Sequence, residues 1–141
     1  VKILFDTNVV LDVMLERTPH LEQATFLLSK VEAGVIEGYL CATTITTLDY
    51  LMKKALGAEK AKILLHTLLQ LFEITPVNRL VLEGALAARM SDFEDSILHE
   101  SALHANLHGI VTRDKIGYKQ AKLSVYTPQE LVDILSKVVT I

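Results

Sequence analysis

Five short apolar runs, separated by stretches of helical periodicity, leave this chain few folds to adopt. The runs lie at 2–5, 38–42, 71–75, 109–112 and 123–126. Helical patterns fill 8–16, 20–33, 44–56, 58–70, 79–89 and 93–107, and a last one runs over 128–138. Val9, Val10, Val13 and Met14 share one side of the first helix; Ala61, Leu64, Leu65 and Leu68 share one side of the fourth. Gly34, Gly57 and Gly109 read as C-terminal stops. Thr127 followed by Pro128, with Glu130 at the third helical position, reads as a helix start. Strands alternating with helices pair in parallel and are covered on both faces. The expectation is an α/β fold of three layers, a parallel sheet of about five strands flanked by helices. Two helices between the second and third strands exceed a simple crossover, so one face should carry extra helical layering. With no repeat or linker, residues 1–141 read as one domain.

Composition narrows the function. Hydrophobic residues make up 50% and aromatic residues 6%, without Trp, so aliphatic side chains must fill the core. A formal net charge of −3 argues against a broadly basic nucleic-acid binder, although a metal ion or a local patch can supply a positive field. The one cysteine, Cys41, excludes an internal disulfide and a cysteine-based zinc cage, and it sits in an apolar stretch as a buried thiol would. No apolar run reaches the roughly 18–20 residues that span a bilayer. No signal-like segment is evident, and the expected location is the cytoplasm, with no membrane association.

Carboxylates carry the chemistry. The strand at 2–5 runs straight into Asp6, and the strand at 109–112 runs through Arg113 into Asp114. In a parallel sheet both ends reach the same edge, where such sheets bind ligands. They converge if the two strands are neighbours, as a sheet that reverses its order at the first strand makes them. Asp92, Glu94 and Asp95 open the helix before Asp114, and Asp92 and Asp95 share a face at i, i+3. Asp92 reads equally as an N-cap, and Glu94 and Asp95 as first-turn charges favoured by the macrodipole. A buried carboxylate such as Asp6 asks for a cation, from a metal or from Arg or Lys. Carboxylates gathered without cysteine suit Mg²⁺ or Mn²⁺, which in pairs support phosphodiester cleavage.

These residues resemble a known family. FDTNVVLD at 5–12 and DFEDSILHESALHANLHGIVTRD at 92–114, in this βα order, are similar to PIN-domain proteins, in particular toxin ribonucleases of the VapC type. The resemblance implies a parallel sheet with an acidic pocket at its C-terminal edge. It also implies a Mg²⁺- or Mn²⁺-dependent endoribonuclease, with RNA as substrate and an antitoxin protein as partner. By resemblance Asp6 is the first metal-binding aspartate, Asp95 the third acidic position and Asp114 the fourth, with Asn8 and Thr112 as polar neighbours. The second position, near the start of the helix after the second strand, is occupied by Thr47. Asp49 lies two residues further on, about 200° round the helix. Asp49 is thus either a shifted ligand or a surface partner of Lys53. Without a fourth carboxylate, Asp92 is a candidate to reach the metal.

Arg113, Lys115, Lys119 and Lys122 cluster in sequence around Asp114 and read either as contacts to a nucleic-acid backbone or as a solvated face. His99, His104 and His108 have helical spacings but no third zinc ligand. The leucine-rich stretch 63–71 exceeds what one small core buries, which points to a homodimer. Three competing readings exist. One is a catalytically weak or inactive module of the same fold that binds nucleic acid or protein. Another is a phosphoryl-accepting receiver, disfavoured because the third and fifth strands end in Thr75-Pro76 and Thr127-Pro128. The last, a D-x-D phosphatase, is disfavoured by Asn8.

Overall fold

A computed structural model describes residues 1–139, with side chains through Lys137. The elements are β1 (Lys2–Phe5), α1 (Thr7–Met14), α2 (Leu21–Glu32), β2 (Glu37–Cys41), α3 (Ala42–Leu56), α4 (Ala58–Leu71), β3 (Glu73–Thr75), α5 (Arg79–Ala87), α6 (Phe93–His104), β4 (Gly109–Val111), β5 (Ser124–Tyr126) and α7 (Pro128–Val139). A 3₁₀ turn at Lys115–Tyr118, not anticipated from the sequence, links β4 to β5.

The sheet has the order β3-β2-β1-β4-β5 and every pairing is parallel. β1 is central: Ile3 pairs with Gly38 on one side and with Gly109 on the other. The chain builds outward from β1 in one direction, then returns to its other side, so the order reverses at β1. Crevices for ligands form at such points. A receiver arrangement needs β1 beside β3, which this order excludes.

Period-two alternation sends successive side chains to opposite faces. Ile3 and Phe5 of β1, Leu40 of β2 and Val111 of β4 enter one core with α1, α2, α3, α4 and α7. Leu4, Cys41 and Ile110 enter the other with α5, α6 and Tyr118. The extra helical layering lies on the first face. Each of Ile3, Leu4 and Phe5 is at most 1% exposed, and burial of such a side chain contributes about 1.5–3 kcal/mol. That explains why β1 is a continuous apolar run ending only at Asp6.

Several boundaries move for identifiable reasons. Gly34 (φ 80°) and Gly57 (φ 90°) end α2 and α3 as the sequence suggested. Gly109 does not end a helix: α6 stops at His104 and Asn106 takes the left-handed conformation at φ 58°. Gly109 is instead the first residue of β4, where a Cβ would stand 2.8 Å from the Ser124 carbonyl oxygen. β3 begins at Glu73 because α4 continues through Leu71. α3 starts at Ala42 directly from the strand. Thr127 and Glu130 form a reciprocal capping box on α7.

Candidate active site

Asp6 leaves β1 with its backbone still in the ladder, its N–H donating to the Val111 carbonyl at 3.0 Å. It is the N-cap of α1: Oδ1 accepts the Thr7 N–H at 2.7 Å, and Oδ2 accepts the Thr112 hydroxyl at 2.7 Å. The residue is 7% exposed. Burial raises its pKa above the ordinary carboxylate value, opposed by the bonds from Thr112, Thr7 and Tyr118. No Arg or Lys among the described residues pairs with it.

Asp95 enters from the first turn of α6, half-buried. Its pKa is pushed up to about 7, first by burial, then by the charges of Asp6, Asp92 and Asp114. Tyr118, buried at 2% exposure, directs its hydroxyl at both carboxylates, 3.5 Å from Asp6 Oδ2 and 3.4 Å from Asp95 Oδ1. Burial and the two carboxylates raise the phenol well above its ordinary pKa, so it remains a neutral donor. Asp114 caps the 3₁₀ turn, Oδ1 accepting the Gly117 N–H at 3.2 Å. A Cβ on Gly117 would lie 2.8 Å from Asp114 Oδ2 and 3.1 Å from Asp95 Oδ2, so glycine leaves the room in which those two groups approach.

Asp6, Asp95 and Asp114 therefore surround Gly117 and Tyr118 at the C-terminal edge of the sheet. Their oxygens are the donor type of Mg²⁺ and Mn²⁺, and burial together with neighbouring carboxylates raises the pKa values of Asp6 and Asp95. As the side chains stand, no three His, Cys, Asp or Glu residues among those described close on one ion-sized point. The Tyr118 hydroxyl lies within reach of two of the three.

The other sequence candidates divide. Thr112 joins the cluster through Asp6 and also accepts the Asp114 N–H at 3.0 Å. Among the described residues the Asn8 side chain has no hydrogen bond to a carboxylate; it accepts the Arg113 N–H at 3.3 Å. Asp92 is exposed and caps α6 by accepting the Asp95 N–H at 3.0 Å, so it reaches the cluster through its charge on Asp95. Asp49 pairs with Lys53 at 3.0 Å. The α3 residue that meets the strand-end region is buried Thr44, whose hydroxyl is 3.2 Å from that of Thr7. Asp49, five positions on, is about 140° round the helix from Thr44. Thr47 shares the Thr44 face at i+3.

Two of the basic residues have other partners. Arg113 binds Asp12 through Nε at 2.7 Å and Nη2 at 3.3 Å. Lys115 binds both oxygens of Glu130, at 3.0 and 3.1 Å. Lys119 is exposed and without an ion pair among the described residues. The histidines serve locally: His99 Nε2 accepts the Lys122 N–H at 2.9 Å, His104 meets Glu100 at 3.2 Å, and His108 Nδ1 accepts the Lys2 N–H at 2.8 Å. A cavity of about 470 Å³ between α5 and α6 is lined by Arg89, His99, Glu100 and Lys122, among others, and by no aspartate.

Sequence reasoning missed Tyr118 and Asp12. Nothing in the local pattern marks Tyr118. Asp12 had a signal: it is a carboxylate between Leu11 and Val13 on an apolar helix, with Arg17 five residues on.

The profile of the PIN domain matches residues 2–116. The chain belongs to that family. Among solved structures, the PIN fold of this chain is similar to FitAcB from Neisseria gonorrhoeae, at 24% identity and a TM-score of 0.70, covering 90% of this chain and 98% of that one. It is also similar to a toxin-antitoxin complex from Klebsiella pneumoniae, at 23% identity and a TM-score of 0.69 over 89% and 97%. DNA-bound VapBC from Salmonella typhimurium matches at 13% identity and a TM-score of 0.67 over 91% and 98%. At these identities the likeness concerns the fold. No curated protein matches the chain. Among the described residues no helix is long and apolar enough to cross a membrane.

Proposed function

We propose that this chain, one PIN domain over 1–141, is a divalent-metal-dependent endoribonuclease that acts as the toxin of a toxin-antitoxin pair. The observation that carries the reading is the approach of Asp95 to Asp6 at the Tyr118 hydroxyl and to Asp114 at Gly117, with no Arg or Lys among the described residues paired to Asp6. Asp6, Asp95 and Asp114 would hold Mg²⁺ or Mn²⁺. Bound there, the ion supplies Lewis acidity for attack of water on a phosphodiester. Thr112 fixes one Asp6 oxygen, Oδ2, through its hydroxyl. Tyr118, a neutral donor, reaches both Asp6 and Asp95 with its hydroxyl. Lys119, exposed and without an ion pair among the described residues, is a cation available to an RNA backbone.

The proposal of an antitoxin partner rests on the toxin-antitoxin complex among the similar structures. A second copy of the chain is the reading given to the exposed apolar side chains of Leu80, Leu86, Phe93 and Ile116 and, on the predicted 63–71 stretch, of Ile63 and Leu69. Leu68 of that stretch is fully buried.

Incubation of the purified protein with RNA and Mn²⁺, beside D6N and D95N variants, is the direct test. Cleavage by the wild type and its loss in both variants supports the reading; no cleavage and no calorimetric metal binding ends it. A second reading, a binding module without catalysis, is favoured by the threonines that α3 offers where a fourth carboxylate would stand. RNA retention without cleavage, unchanged in D6N, is its signature.

A further inference from the structure

The buried aspartate of α1 lies outside the carboxylate cluster, yet it holds the segment that delivers part of it. Asp12 is completely buried and accepts two guanidinium groups, Arg17 Nε at 2.9 Å and Arg113 through two nitrogens at 2.7 and 3.3 Å. Arg17 belongs to the turn just after α1 and also donates to the Asn8 carbonyl at 3.2 Å. Arg113 belongs to the three-residue segment between β4 and the 3₁₀ turn. All three residues of that segment are fixed. Thr112 donates to Asp6, Arg113 is held by Asp12 and by the Asn8 side chain, and the Asp114 N–H donates to Thr112. Asn8 and Asp12 are one helical turn apart on α1, so one face of that helix grips the segment twice.

We infer that Asp12 is a positioning residue for the metal site: through Arg113 it sets where Asp114 and Thr112 stand relative to Asp6. The inference rests on the metal-site reading above. It assigns Arg113 to the scaffold instead of to the RNA backbone. A forked guanidinium on a buried carboxylate fixes direction as well as distance, and partners behind metal ligands commonly govern affinity by about 10–100-fold. Arg17 supplies an internal control, because it loads the same carboxylate from the α1 side without touching the Asp114 segment.

The experiment is Mn²⁺ titration by calorimetry on wild type, D12N, R113M and R17M, each far below its unfolding temperature, with steady-state RNA cleavage in parallel. The expected result is a Mn²⁺ Kd weakened at least about tenfold in R113M and D12N and within about twofold of wild type in R17M. R113M does not depend on D12N folding, since Arg113 lies at the surface. A wild-type Kd in R113M with a raised KM for RNA overturns the inference and returns Arg113 to the substrate. Equal weakening in R17M and R113M also overturns it, because a general loss of structure then accounts for both. A wild type that binds no Mn²⁺ ends the metal reading and this inference together; binding by wild type that R113M leaves unchanged ends this inference alone.

Discussion

Replacing Asp95 with asparagine should stabilise the metal-free protein while removing its metal response. The folded protein keeps a proton on Asp95 up to about pH 7, against an ordinary value of 3.8. Between these pH values the folded state binds a proton that the unfolded chain has released. Stability from this group is thus complete below about pH 4 and declines as pH rises toward 7. At full strength the displacement amounts to about 4 kcal/mol. Asp95 is only half-buried, and solvent screening reduces the expected effect to about 1–2 kcal/mol. The asparagine side chain preserves shape and an oxygen for the Tyr118 hydroxyl and removes the charge. It also removes the repulsion from Asp6 that helps to raise the Asp95 pKa. The assay is urea unfolding in EDTA from pH 4 to pH 8. The stability of D95N minus that of wild type should rise by about 1–2 kcal/mol across this range and level off near pH 7. With Mn²⁺ at a hundred times its Kd, wild type gains about 2.7 kcal/mol and D95N does not, which inverts the order. A difference that stays flat or falls between pH 4 and pH 8 refutes the argument that Asp95 is a strained carboxylate.

Three further substitutions probe other parts of the structure. Thr47→Glu puts a carboxylate on the Thr44 face of α3, and Mn²⁺ binding should tighten about tenfold, on the scale at which ligand surroundings act; an unchanged or weaker Kd shows that this face does not reach the site. Gly109→Ala drives a Cβ to 2.8 Å from both the Ser124 carbonyl oxygen and the Tyr126 ring. It should cost about 1–3 kcal/mol, read as a lower denaturation midpoint, and a midpoint equal to wild type contradicts the close approach of β4 and β5. Thr127→Ala removes the hydroxyl that accepts the Glu130 N–H at 3.1 Å, and a loss of about 1 kcal/mol is expected from thermal unfolding; no loss means the capping box does not hold α7.

The alternation of strands and helices, the stop glycines at 34 and 57 and the Thr127–Glu130 capping box were legible because each depends on neighbours within a few residues. The approach of Asp6 and Asp114 was legible only conditionally, on β1 and β4 being adjacent, and the sheet order meets that condition. Gly109 reads in sequence as a stop, whereas its true constraint comes from β5, to which it pairs at Ser124. For Asp49 the sequence offers two roles, and it pairs with Lys53 on the same helix, as the i, i+4 spacing allows.

Sequence by itself thus determined the class of fold, the elements and which carboxylates end at the sheet edge, since propensity, capping and hydrophobic period act locally. Tertiary structure alone decided what surrounds those carboxylates. Arg113 and Asp12 are 101 positions apart, and Tyr118 and Asp6 are 112 apart. Burial explains the importance of both pairs: a hidden carboxylate requires a partner, and only the packed sheet brings that partner from the far end of the chain.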